Sequence, residues 1–328
     1  MKKIINSPVT VVHELCEGMV KAYPRLLSWD EENNVLYRRE LNKSKVTLIS
    51  GGGSGHEPAH GGFVGKGMLD GAVCGEVFSS PSIMQVYNAI RITASEKGVL
   101  LIIKNYAGDM MNFSGAADMA IEDDGIVVEK VCVNDDVAIQ ESANRRGVAG
   151  TVLVHKIAGA LAEEGASLQE VKRVAEKVIE NVRTMGVALE PCTVPAQGVP
   201  TFSLEPGEIE MGVGIHGEAG VYRGKMGSAA AITQELVTRI LADFPVGTGH
   251  QVALLINGLG GTPLQELFIL NNEVRKIIDP KGILVYRTFV GNIVTSIDMI
   301  GASVTLLKLD QETMRLLDAP ADTAAWKI

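Results

Sequence analysis

Basic charge, cysteine and long apolar runs are all scarce in this chain, and each shortage removes a class of function. Lys and Arg number 30 against 39 Asp and Glu, a formal charge of −9. With nothing to offset phosphate repulsion, neither a nucleic acid nor an anionic membrane surface is expected as a partner. The four cysteines (Cys16, Cys74, Cys132 and Cys192) stand far apart without a C-x-x-C pair. They read as buried or idle thiols in a cytoplasmic protein. No apolar run approaches the ~18 residues of a membrane span. Met1-Lys2-Lys3 is followed by Ile4 and Ile5 only, then by Asn6-Ser7-Pro8, so no signal-peptide apolar region follows. Short-period repeats and low-complexity tracts are also missing.

What is present is an ordinary globular composition, 46% apolar and 21% charged, over 328 residues. That length suits two domains or one large α/β unit. Ser7-Pro8 resembles a helix start, with Val11, Val12, Leu15, Met19 and Val20 recurring at helical spacing. Then come short apolar runs, each ending in a turn or helix start: "VTLIS", "GAVCGEVF" before Ser80-Pro81, "GVLLIIK" before Asn105-Tyr106, and "GIVVEKVCV". Continuous apolar strands alternating with helices predict a mostly parallel sheet covered by helices on both faces. Ligands of such sheets gather beyond the carboxyl ends of the strands, where Ser50-Gly51, Ser79-Ser80 and Lys104 to Asp109 would converge. Helices are expected over 149–164 and 167–187, followed by the Pro- and Gly-rich loop "EPCTVPAQGVPTF". Alternation then resumes with "EIEMGVGI", "QVALLING", "GILVYRTFV" and "ASVTLLKL", predicting a second α/β layer with a mixed sheet. The expected domains are 1–187 and 188–328.

The stretch "GGGSGHEPAH" at 51–60 holds both an anion-cradle-like run of glycines and H-E-x-x-H. A zincin site needs His56 and His60 one turn apart on a continuous helix. Four glycines upstream and Pro58 between the histidines oppose that helix, so no metal is expected. "HGGFVGKG" has a histidine and a glycine where a nucleotide loop needs Gly and a hydroxyl. "GVGIHG" at 212–217 fits G-x-G-x-x-G, but loop-like residues follow where a dinucleotide fold opens a helix. His56 and His216 nonetheless share a setting, a strand end flanked by glycine, while "KNYAGDMMNF" supplies Lys104 and Asp109. A lone histidine is more often a packed core residue. Two imidazoles, an ammonium and a carboxylate form an acid–base and nucleophile set.

"GGGSGHEPAHGGFVGKGML", "LLIIKNYAGDMMNF", "RRGVAGTVLVHKIAGA", "PCTVP", "EMGVGIHGEAGV" and "LLKLD…DAP" together resemble the dihydroxyacetone kinase K-subunit family. The resemblance runs from about residue 7 to Trp326. It implies that His216 bonds covalently to the carbonyl carbon of dihydroxyacetone as a hemiaminal, and that His56 and Asp109 handle protons. It implies that Gly53, Ser54, Gly55, His56, Lys104 and Asp109 bind the substrate. No nucleotide motif survives inspection and the chain stops soon after "DAPADTAAW". The resemblance thus implies a separate, homodimeric subunit of the phosphoenolpyruvate-dependent type. It would bind no cofactor itself and would serve an L subunit carrying ADP and Mg, recharged by a phosphocarrier. "QESANRRGV" is shorter than the family's segment, which keeps an alternative: a dihydroxyacetone sensor that acts as coregulator of a transcription factor.

Overall fold

The computed structural model describes residues 2–328, which divide into two compact units. One comprises Lys2–Val133, Val152–Ile179 and Thr313–Ile328; the other comprises Asn134–Thr151 and Glu180–Glu312.

In the first unit the strands are β1 (Leu27–Asp30), β2 (Val35–Arg38), β3 (Thr47–Ser54), β4 (Gly65–Lys66), β5 (Gly71–Val77), β6 (Val99–Lys104) and β7 (Val128–Val133). Six of them form a sheet in the order β1-β2-β5-β3-β6-β7. The pairings β5–β3, β3–β6 and β6–β7 are parallel, whereas β1 and β2 form an antiparallel edge hairpin. That hairpin is absent from the sequence reading, because "LSWD" and "VLYR" are too short and polar to alternate clearly. The unit's helices are α1 (Val11–Ala22), α2 (Ile83–Thr93), α3 (Ala107–Asp124), α4 (Thr151–Glu163) and α5 (Leu168–Glu180). Ile49, Val73, Leu101 and Ile103 pack with Val86, Ile90, Phe113 and Ala117 of α2 and α3. Leu36 packs instead with Val12 and Cys16 of α1. Burying such side chains contributes roughly 1.5–3 kcal/mol each.

Two helix starts differ from expectation. The first helix begins at Val11, after a turn over residues 8–10. Helix α2 is capped by Ser82 through a reciprocal bond with Gln85, not by Ser80.

In the second unit the strands are β8 (Val182–Glu190), β9 (Glu208–Met211), β10 (Tyr222–Lys225), β11 (Gln251–Gly258), β12 (Leu284–Gly291) and β13 (Ile300–Leu309). Their order is β10-β9-β8-β13-β11-β12. Only β11–β12 is parallel, so this sheet is mixed as expected. Helices α6 (Ala229–Asp243) and α7 (Leu264–Ile278) bury Leu236, Ile240, Leu267 and Val274 against Met185, Leu254, Ile256 and Val304. The final helix is α8 (Gln311–Asp318), and β14 (Asp322–Thr323) pairs with β4.

The division expected near 185–190 is not the one the contacts draw. That stretch lies within β8, and the predicted helix 167–187 stops at Glu180. Residues 134–151 leave the first unit early because Asp135 anchors them to the second. The buried Asp135 carboxylate accepts from Val148 N–H and Gly150 N–H, each at 2.8 Å, and from the Thr184 hydroxyl.

A buried charge cluster ties the first unit together. Asp70 accepts from Lys45 Nζ at 2.6 Å, Arg38 Nη1 at 3.0 Å and Leu48 N–H at 2.9 Å. Lys45 and Asp70 are each 2% exposed, so removing one partner strands the other. Asp70→Ala is expected to destabilise the protein by about 3–5 kcal/mol, read as a lower urea midpoint. A loss below ~1 kcal/mol would contradict a desolvated pair.

Candidate functional site

Strands β3, β5 and β6 are parallel neighbours in the first unit, and their carboxyl ends carry the Gly-rich run, Phe78-Ser79-Ser80 and Lys104. A Cβ on Gly52 would stand 3.1 Å from Lys104 Nζ and 3.1 Å from Asp109 Oδ2. The φ of Gly52 is +144°, a conformation side chains avoid. A Cβ on Gly53 would lie 2.5 Å from the Ser79 nitrogen. These glycines therefore admit close approach of backbone and charge.

Asp109 is the third residue of α3, where the helix N-terminus favours a carboxylate. It is buried and accepts a short hydrogen bond from Ser80 Oγ. Lys104, also buried, has Nζ 5.6 Å from the Tyr106 ring centroid. His56 is buried and stacks on Phe78 at 5.2 Å with 16° between the rings. Phe78 adopts a left-handed φ of 58°, and its N–H donates to the Ser54 carbonyl at 2.9 Å. A bulky residue holds such a conformation only when its surroundings impose it. Gly55 N–H donates to Glu57 at 3.1 Å, while burial pushes the Glu57 carboxyl up. The Ser54 hydroxyl donates to Gly75 O at 2.7 Å, so this side chain braces the loop.

His60 turns away from any zincin geometry. Residues 57–60 form turns, and the first helical residues are a 3-10 turn at Gly61–Phe63. The His60 ring lies 5.2 Å from that of His155, and its Nδ1 is 3.4 Å from Ser50 Oγ. Among the described residues no group of three or more His, Cys, Asp or Glu is arranged to hold a metal.

His216 belongs to the second unit. The strand preceding it stops at Met211, because Gly212 takes a φ of +81° and bends the chain into a turn. His216 Nδ1 lies 2.7 Å from Glu218 Oε1, and the His216 N–H donates to the other carboxylate oxygen. Burial works to raise the Glu218 carboxyl, but the bond with His216 and nearby positive charge outweigh it and hold it below its usual range. A neutral imidazole that donates from Nδ1 carries its lone pair on Nε2, where a nucleophile needs it. Behind this pair, Arg146 donates to Asp136 at 2.7 Å and to the Gly212 carbonyl at 2.8 Å.

Of the residues singled out from sequence, Gly53, Ser54, Gly55, His56, Lys104 and Asp109 lie in one unit and His216 in the other. Sequence reasoning placed Ser80 at a converging strand end without giving it a role, and it missed Phe78, Glu218 and Arg146. Glu218 carried a signal, standing two residues from His216. Phe78 carried none, while Ser80 carried its place at a strand end beside Lys104 to Asp109, where it donates to Asp109.

The cluster also predicts a pH dependence. Burial first, then the Lys104 charge, lowers His155 from 6.5 to about 3 and drives His60 the same way. Below 6.5 the unfolded chain takes a proton that folded His155 refuses, so stability is lost as pH falls from 6.5 towards 3. His155→Leu is expected to flatten this limb by up to about 1.4 kcal/mol per pH unit in urea titrations at successive pH values. Parallel profiles for parent and variant would rule out His155 as a source.

A family model described as the Dak1 domain matches residues 17–325. The dihydroxyacetone-binding subunit of PTS-dependent dihydroxyacetone kinase 1 from Listeria innocua is 49% identical, covering 99% of this chain and 100% of that protein. The crystal structure of the dihydroxyacetone kinase of C. freundii superposes with a TM-score of 0.92 at 38% identity, over 99% of this chain and 60% of that one. A dihydroxyacetone kinase operon co-activator superposes with a TM-score of 0.90 at 38% identity, over 96% of this chain and 98% of that one. The strand-end cluster and the histidine turn thus sit within a match of nearly full length, and the chain belongs to the Dak1 domain family.

Proposed function

We propose that this protein is the substrate-binding subunit of a dihydroxyacetone kinase, and that His216 captures the ketone covalently. The observation that carries the reading is the Glu218 carboxylate on His216 Nδ1, which selects the tautomer with its lone pair on Nε2. Nε2 attacks the carbonyl carbon, the carbonyl π pair moves to oxygen, and the resulting alkoxide takes a proton from solvent, which balances the proton the ring gives up from Nδ1. The positive charge left on the ring is met by Glu218, which accepts the Nδ1 proton as the neutral hemiaminal forms. Glycerol has no carbonyl and cannot be held this way, so capture adds selectivity beyond hydrogen bonding. Backbone at Gly53–Gly55 and the Lys104 ammonium hold the ligand's oxygens. One base, Asp109 or His56, takes the hydroxyl proton as that oxygen attacks phosphorus. In this reading the phosphate comes from a partner subunit carrying ADP and Mg and recharged by a phosphocarrier. The Listeria relative's description as PTS-dependent supports a phosphotransferase route.

The co-activator's likeness favours one further reading, a dihydroxyacetone-binding coregulator without transfer. Capture is common to both, and proton removal separates them.

With 13C-carbonyl dihydroxyacetone, the parent protein is expected to convert the ketone resonance to that of a tetrahedral carbon and to gain the ligand's mass. His216→Ala should do neither; an adduct persisting in that variant would remove His216 from its role.

Asp109→Asn should retain the adduct yet slow phosphoryl transfer by about 10²–10⁴, assayed with the nucleotide-bearing partner and its phosphocarrier. If the parent binds dihydroxyacetone but yields no phosphorylated product in that assay, the coregulator reading stands instead.

A further inference from the structure

Nothing in the capture step by itself explains a buried arginine behind the histidine turn. Arg146 is 8% exposed and Asp136 2%. The guanidinium is used as a fork: Nε donates to Asp136 Oδ2 and Nη2 to the Gly212 carbonyl. Its third nitrogen, Nη1, lies over Gly214, 2.6 Å from where a Cβ would be. The Glu218 Oε2 atom occupies the same space, 2.0 Å from that position. Arginine and glutamate thus share the space left by one missing side chain, and the Arg146 charge helps hold Glu218 ionised. The arginine is itself anchored. Asp136 also accepts from Ala138 N–H at 2.9 Å, and its own N–H donates to the Arg146 carbonyl at 3.1 Å. Asp135 next to it is the carboxylate that fastens residues 134–151 to β8 through Thr184.

We propose that Arg146, seated on Asp136, is a positioning residue for the capture step: it fixes the Gly212–Gly214 backbone and keeps the Glu218 carboxylate aimed at His216 Nδ1. The proposal rests on the reading of His216 as the capturing nucleophile, and it deepens that reading. Three features make an arginine necessary. The two oxygens it contacts lie on separate elements, which one ammonium cannot bridge with fixed geometry. Glu218 follows His216 by two residues on a turn containing Gly214 and Gly217, so the local chain supplies little stiffness. Asp136 is buried, and a cation must accompany it.

The test uses the full-length protein without ligand first. Long-range 1H–15N spectra report whether His216 carries its proton on Nδ1 or Nε2. The parent is expected in the Nδ1–H form. Arg146→Met should give a mixture of tautomers and weaken the dihydroxyacetone adduct roughly tenfold or more, the scale of a slightly misplaced reacting group. In a Glu218→Gln background, Arg146→Met should change adduct formation by no more than about twofold, because its effect runs through Glu218. Arg146→Lys keeps a cation beside Asp136 but lacks the fork. It should fold, shift the tautomer and lose adduct, and so it decides the matter if Arg146→Met does not fold. A folded variant with the parent's tautomer and adduct overturns the proposal, as does an equally large loss in the Glu218→Gln background. If the parent itself forms no adduct, the capture reading fails, while the tautomer spectra still judge Arg146 independently.

Discussion

The Lys104 ammonium and the Asp109 carboxylate can lie against strand β3 only because Gly52 has no side chain. A Cβ there would come within 3.1 Å of both. Much of the first unit's chemistry follows from this approach. Two opposite charges are taken out of water together, which lowers the cost that either would meet alone. Asp109 gains further support from the amino end of α3 and from Ser80. The buried ammonium then acts on its neighbours: it helps keep His60 and His155 uncharged, so no further positive charge gathers behind the Gly-rich loop. His56 is held differently, by ring contact with Phe78, whose left-handed backbone is braced by Ser54.

The second unit reaches a comparable result through a longer chain of dependence. Asp135 ties residues 134–151 down, Asp136 holds Arg146, and Arg146 holds the turn that carries His216. The contact nearest the imidazole is local in sequence, while the contacts that stabilise it come from residues far upstream. This explains why the chain leaves the first unit after Val133 and returns to it at Val152. The excursion brings Arg146, seated on Asp136, to the histidine turn, while Asp135 fastens the segment to β8.

That woven path is also where sequence reasoning failed. Strands such as "VLLIIK" and "QVALLING" were legible because an uninterrupted apolar run of that length has few alternatives to a buried strand. The mostly parallel first sheet and the mixed second sheet were therefore both anticipated. The hairpin of β1 and β2, strand β10 and helix α8 were missed, being short elements stabilised by what they pack against. Strand β8 was absorbed into the preceding helix, because "NVRTMGVALE" continues the apolar spacing of α5 until Gly186 interrupts it. The candidate site was legible residue by residue wherever glycine flanked a histidine. Most of its supports were not: the strand ends foretold that Ser80 nears Asp109, but Phe78 and Arg146 acquire their roles only through pairings between distant segments.

The arrangement bears on the choice between transfer and sensing. A protein that only holds dihydroxyacetone needs a nucleophile and hydrogen-bond donors, and a neutral amide in place of Asp109 would bind a hydroxyl without the cost of burying a charge. Here the carboxylate is retained at 3% exposure, with a helix terminus, a serine hydroxyl and an ammonium gathered around it. A carboxyl oxygen held in this poorly solvated place is an acceptor of the kind the proposed proton removal would use, and simple recognition does not call for it. The proposed kinase role therefore accounts for a charge that the coregulator role leaves without a purpose.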